Sequence, residues 1–245
     1  MRVTFAYLVV VDISGYTRFI TGQTLALMHA EQIITDLISA VLDQSHDPMV
    51  LNKLEGDAAL LYREQGRDDV EAAQDVFAQV RSFFPAFQRR AAELRTVRAN
   101  CSCEACSNIA SLCLKAFVHA GEIAIKRVRQ FDELAGEPVI LVHRLMKNTV
   151  PSREYVLVTY DAAALAQLPQ EILQAHSEEV QGMGSHQLWI VDPSSFPLAA
   201  PSPIVKTSDR SHASHNAEFR HLPRLEGSFG VKALHKLKRW FVGRQ

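Results

Sequence analysis

The stretch Val9-Val10-Val11-Asp12-Ile13-Ser14-Gly15-Tyr16-Thr17 decides how the rest of the chain is read. Ala6 to Val11 is dense in β-branched and aromatic residues, the composition of a strand buried on both faces. Ser14-Gly15 supplies a turn, so Asp12 is carried at a strand end. A carboxylate there, beside small residues with free backbone N–H groups, can hold a divalent cation while the turn accepts phosphate oxygens. An Asp-x-Ser-Gly turn is also ordinary structure, so its meaning depends on the residues that the rest of the chain brings to it.

Beyond this turn, Met28, Ile33, Ile34, Leu37, Ile38, Val41 and Leu42 recur at helical spacing until Asp47-Pro48, which predicts a long amphipathic helix from Thr24. Met49 to Lys53 and Ala58 to Tyr62 flank Glu55-Gly56-Asp57, the pattern of a β-hairpin. Ala73, Val76, Phe77, Val80, Phe83, Phe84 and Phe87 predict a second helix up to about Leu94, kinked or broken at Pro85. Apolar runs Leu112 to Val118 and Ile123 to Val128, around His119-Ala120-Gly121-Glu122, read as a second hairpin. Then come Val139 to Met146 as helix, Tyr155 to Val158 as strand, Ala162 to Leu168 as helix and Gln187 to Val191 as a last strand. The order βαββαββαβαβ predicts an α+β, ferredoxin-like fold, a mixed or antiparallel sheet with helices on one face.

A formal charge of -1 gives no chain-wide attraction to polyanions, so no nucleic-acid partner is expected. The apolar opening runs straight into Asp12 with no small-x-small cleavage pattern, and no apolar run approaches the ~20 residues of a membrane span. A cytoplasmic protein is therefore expected. Beyond Asp192 the composition shifts to Pro, Ser, Ala and His. The predicted organisation is one domain over 1–192, a linker over 193–228 and a basic amphipathic helix over 229–245. In that helix Val231, Leu234, Leu237 and Phe241 share a face. It either docks on its own domain or makes weak contact with a membrane surface through Trp240 and Phe241.

Both strand end and first hairpin resemble the class III adenylate and guanylate cyclases. Asp12 to Thr17 follows their Asp-Ile-x-Gly-Phe-Thr signature, and Lys53-Leu54-Glu55-Gly56-Asp57 follows Lys-x-x-Gly-Asp across the family's one-helix spacing. The resemblance implies that Asp12, Ile13 and Asp57 hold two Mg²⁺ or Mn²⁺ ions and that Gly15, Tyr16 and Thr17 take phosphate. It implies purine reading by Lys53 and Glu133, stabilisation of the transferring phosphate by Arg144, and a head-to-tail homodimer with two sites. Val118 to Ile123 matches the family's Ile-His-x-Gly-Glu-Val hairpin, with no role for His119. One position departs. Ile140 stands where the family has an Asn that orients the ribose, and such a loss commonly costs ~2.7–4 kcal/mol in the transition state. Asn148 cannot replace it, being ~12 Å further along the helix. The His143 to Asn148 segment is similar to an uncharacterised, cyclase-related bacterial family. The implied function is conversion of ATP, less readily GTP, to the 3′,5′-cyclic nucleotide and pyrophosphate. The alternatives are a degenerate nucleotide- or metal-binding regulatory module, and a metal or redox sensor built on the cysteines.

All four cysteines fall close together, Cys101, Cys103 and Cys106 in a loop over 99–111 and Cys113 at the start of the next strand. Three thiolates within six residues could hold Zn²⁺, with Cys113 or a histidine as fourth ligand; the bland reading is unliganded loop thiols.

Overall fold

In the computed structural model, which describes residues 1–16, 24–66 and 68–196, β1 (Arg2–Ser14) lies in the interior of the sheet, with a strand paired on each side. Its side chains alternate between two cores. Tyr7, Val9, Val11 and Ile13 meet helices α1 (Thr24–Leu42) and α2 (Asp69–Val97), while Ala6, Leu8 and Val10 meet Val139 and Val142 of α4 (Glu137–Arg144). This is why the segment reads as an unbroken apolar run. The two long helices share one face, but the expectation of helices on one face alone is corrected, because the short α4 covers the other.

The sheet is mixed, with order β2-β3-β1-β4-β6-β8-β7 and β5 paired to β4. Strands β2 (Val50–Glu55) and β3 (Ala58–Glu64) form the predicted first hairpin. Its bend needs a glycine at 56, where φ is 70°. The parallel pair is β4 with β6 (Tyr155–Thr159), and β7 (Gln174–Val180) with β8 (Gly184–Val191) closes one edge.

The second predicted hairpin is corrected. Residues 119–122 do not turn: β4 is one strand, Cys113–Val128, in unbroken register with β1 from Ser14↔Cys113 to Arg2↔Ile125. The hairpin comes later, through Arg129 at φ 58° into β5 (Phe131–Ala135). Gly121 is a point of close approach, since a Cβ there would lie 2.6 Å from Pro138 Cγ. Nor does Pro85 break α2, whose start is capped by the Asp68 carboxylate accepting from the Val70 and Glu71 N–H groups at 3.0 Å. Pro85 lies on the exposed side, where water can stand in for its missing donor.

The 99–111 loop contains the four-residue α3 (Glu104–Ser107), and α5 (Tyr160–Leu165) follows β6. The described fold continues past Asp192 to Phe196, which is buried with its ring centroid 6.0 Å from that of Phe77. The linker beyond Phe196, the C-terminal helix and Thr17 lie outside the described residues. Among the described residues no helix is long and apolar enough to cross a membrane.

Candidate functional site

Strand β1 delivers Asp12 opposite Ala58, the residue after Asp57, and the Ile13 N–H donates to the Asp57 carbonyl at 3.2 Å. The strand end and the first hairpin bend are thus joined through their backbones. Burial pushes the Asp57 carboxyl up to about 7, and the charge of Asp12 pushes in the same direction, with a further contribution from Glu31. Lys115 works against this. It faces Asp12 across the β1–β4 ladder, its Nζ 2.7 Å from the carboxylate, with both side chains largely buried. Three carboxylates therefore act on this corner while one ammonium is paired within it. Oxygen donors in a setting short of positive charge suit a hard divalent cation, which would also draw the proton from Asp57.

The turn after Asp12 requires glycine, because Gly15 has φ 98°. A Cβ on Gly15 would lie 3.2 Å from Arg153 Nη2, and the Ser14 hydroxyl donates to the Arg153 carbonyl at 3.1 Å. The Arg153 guanidinium in turn bonds the Ser111 carbonyl. A cation is therefore anchored beside the proposed phosphate turn. Tyr16 donates from its hydroxyl to Glu31 on α1 at 3.1 Å. Sequence reasoning missed Lys115, Glu31 and Arg153. Of these only Lys115 carried a signal, a lone charge inside an apolar strand.

Lys53, Glu133 and Arg144 lie on β2, β5 and α4, which adjoin one another. Lys53 Nζ is 2.8 Å from Glu55, which lies 3.1 Å from His143 Nε2 on α4, without hydrogen-bond alignment at that nitrogen. His143 Nδ1 is 2.7 Å from the Val139 carbonyl. The facing Glu55 raises the His143 pKa, and His143 in turn brings the Glu55 carboxyl down to about 2, with Lys53 assisting. Glu133 sits on β5, a strand tied to β2 by the Asn52 amide donating to the Asp132 carbonyl at 2.7 Å. Arg144 is exposed and extends toward the β7–β8 turn, its Nη1 3.6 Å from where a Cβ on Gly182 would be. Ile140 is 51% exposed. His119 is buried, 3.0 Å from the Thr159 hydroxyl, and burial pushes its pKa down to about 4. It is a neutral core histidine.

The cysteine loop folds against α1. His29 Nδ1 lies 3.3 Å from Cys103 Sγ and 3.5 Å from both Cys101 Sγ and Cys106 Sγ. These four donor atoms all fall within 4.8 Å of one another. Of the two fourth ligands the sequence allowed, the cluster contains a histidine, and Cys113 instead pairs with Ser14 in the sheet.

A family described as a protein of unknown function (DUF2652) matches residues 34–155. The "Uncharacterized protein Rv2561/Rv2562" of Mycobacterium tuberculosis is 32% identical over 171 residues, covering 69% of this chain and 78% of that protein. Among solved structures, a bacterial light-regulated adenylyl cyclase superposes with a TM-score of 0.58 at 12% identity, over 79% of this chain and 92% of the other. A class III adenylyl cyclase-like ATP-binding protein from Pseudomonas aeruginosa gives 0.55 at 14%, over 69% of this chain and 36% of the other. At such identities these likenesses establish the fold, that of the nucleotide cyclase domains.

Proposed function

The chain belongs to the same family as the Mycobacterium tuberculosis protein Rv2561/Rv2562, and within that family we propose a protein that binds a purine nucleoside triphosphate with two divalent cations, Mg²⁺ or Mn²⁺, and cyclises it slowly. The observation that carries this reading is the carboxylate pair. Asp12 and Asp57 come from separate elements, their backbones are joined, and the Asp57 proton is held by burial and a neighbouring negative charge. Asp12, Asp57 and the Ile13 backbone hold the ions, which neutralise the triphosphate and polarise the reacting phosphoryl group. Gly15, Tyr16 and Thr17 seat the phosphates, with Arg153 and Lys115 as nearby cations. In the reaction the ribose 3′-oxygen forms a bond to the α-phosphorus, the bond to the bridging oxygen breaks, and pyrophosphate leaves as the hydroxyl proton passes to solvent. Lys53 and Glu133 read the base, with ATP favoured over GTP, and Arg144 faces the transferring phosphate in a homodimer. A nucleoside triphosphate substrate and reduced thiols suit the cytoplasm.

Ile140 supports a second reading, a nucleotide-binding regulatory module without turnover, because an isoleucine side chain cannot supply the hydrogen bonds of the ribose-orienting amide. A sensor centred on the thiols alone is less favoured. It leaves unexplained why Asp57 is kept half-buried within reach of the Asp12 charge at an electrostatic cost. The test is incubation of the purified protein with Mn²⁺ and ATP or GTP. Cyclic product from wild type and none from Asp57→Ala supports turnover. Saturable, Mn²⁺-dependent nucleotide binding without product selects the regulatory module. Absence of both defeats the two readings together.

A further inference from the structure

We infer that His29, Cys101, Cys103 and Cys106 form a four-coordinate Zn²⁺ site that clamps helix α1 to the connection between α2 and β4. The geometry around one nitrogen argues for it. Three sulfurs lie 3.3, 3.5 and 3.5 Å from His29 Nδ1. An imidazole nitrogen offers a single proton or a single lone pair, so it cannot serve three thiols as a hydrogen-bond partner. A metal ion at the centre satisfies all four groups at once. With Zn–S near 2.3 Å and Zn–N near 2.0–2.1 Å, tetrahedral angles put sulfur and nitrogen about 3.5 Å apart, which is the spacing found.

The donor set selects the ion. Three thiolates and an imidazole favour zinc over the hard cations that suit carboxylates, and four protein ligands leave no open position for a substrate or an activated water. The site is therefore structural. Its surroundings fit a thiolate centre: the Cys106 N–H points at Cys103 Sγ at 3.4 Å, and Arg98 brings a guanidinium nitrogen within 4.0 Å of Cys106 Sγ. Arg98 also donates to Gln32 of α1 at 3.1 Å. The clamp thus joins residues 72 to 77 positions apart, and it fixes the part of α1 that carries Glu31, the partner of Tyr16. The site does not depend on the nucleotide reading.

Metal analysis of the full chain purified under reducing conditions should find about one zinc per chain. Replacement by Co²⁺ should give thiolate-to-cobalt charge transfer and the intense visible bands of a tetrahedral centre. Cys103→Ser and His29→Ala should each lose the zinc. Cys113→Ser should keep it, and His29→Cys should restore it, which separates ligand loss from failure to fold. Wild type without zinc, with its loop thiols reacting as free cysteines, would overturn the site. Zinc retained in His29→Ala but lost in Cys113→Ser would overturn the ligand assignment. Hydrogen exchange of residues 24–42 should accelerate when zinc is chelated, and unchanged exchange would overturn the clamp.

Discussion

Asp57 is a carboxylic acid whose proton folding binds more tightly than in the ordinary carboxylate range, against the charge state metal binding needs. Its folded pKa of about 7 stands above the ordinary value of 3.8, so the native state binds this proton more tightly than the unfolded chain does. The associated stability is complete below the unfolded value and is lost as pH rises through about 7. Asp57→Asn should therefore stabilise the metal-free protein at pH 8, by on the order of 1 kcal/mol after solvent screening, and should flatten the pH dependence of thermal melting. A lower melting temperature for Asp57→Asn at that pH would show the charge to be well accommodated. By the same sign, Mn²⁺ must displace the proton below neutral pH, so its affinity should climb with pH and level off above about 7. Lys115 is the counterpart. Its ammonium, 2.7 Å from Asp12, holds a place a divalent ion would contest. Lys115→Met should destabilise the metal-free fold by ~3–5 kcal/mol, the typical cost of leaving a buried charge without its partner. It should also tighten Mn²⁺ binding. Melting with and without Mn²⁺ reads both effects, and weaker Mn²⁺ binding in the variant would mean that Lys115 assists the ion rather than competing with it.

Among the elements, α4 packs on the sheet through Val139 and Val142 with Pro138 fitted closely over Gly121. Because a Cβ at 121 would come within 2.6 Å of a proline ring that can scarcely move, Gly121→Ala should cost about 1–3 kcal/mol by overpacking. It should also disturb the His143–Glu55–Lys53 contacts more than the carboxylate pair. Denaturant unfolding measures the first effect, and an unchanged midpoint would show that α4 shifts freely. The same residue explains the misread hairpin. A glycine between two apolar runs has one appearance in sequence whether the chain turns or a neighbour approaches, and only the position of Pro138 distinguishes them. Strands β1, β2 and β3 were legible because an apolar run and a turn signal coincide in each. Strands β5 and β7 were not, since each buries few residues: β5 is only five residues long with its Phe131 exposed, and β7 carries mostly polar residues. Three donors of the thiol cluster could be seen because they lie within six residues of one another. The fourth, His29, sits on a distant helix among residues whose spacing speaks only of packing, and it joins the others only on folding.

Across the molecule as a whole, the proposed ion-holding residues and the proposed base-reading residues are supported by different parts of one chain. Asp12 and Asp57 rest on β1, its partner β4 and the β2–β3 bend, whereas Lys53, Glu133 and Arg144 rest on β2 itself, β5 and α4. The second set is accompanied by large apolar side chains left in water: Leu54 on β2 at 53% exposure, Phe131 on β5 at 61% and Ile140 on α4 at 51%. Apolar groups left exposed on adjoining elements are what the proposed dimer would need as an association surface. A head-to-tail pair of chains would cover them and bring each carboxylate pair to the other chain's Lys53 and Arg144, giving two equivalent sites. Phe131→Asp should then shift a concentration-dependent dimer toward monomer in sedimentation while leaving the melting of the monomer unchanged. Mixing is the sharper test. Asp57→Ala lacks one half of each site and Arg144→Ala the other, so each homodimer is inactive, while a mixed dimer has one site with neither defect. Random exchange makes half the dimers mixed, and half of their sites are intact, so about a quarter of the wild-type signal should return, read as product or as Mn²⁺-dependent nucleotide binding. If both halves of a site come from one chain, mixing the two variants restores nothing, and the shared-site dimer is wrong.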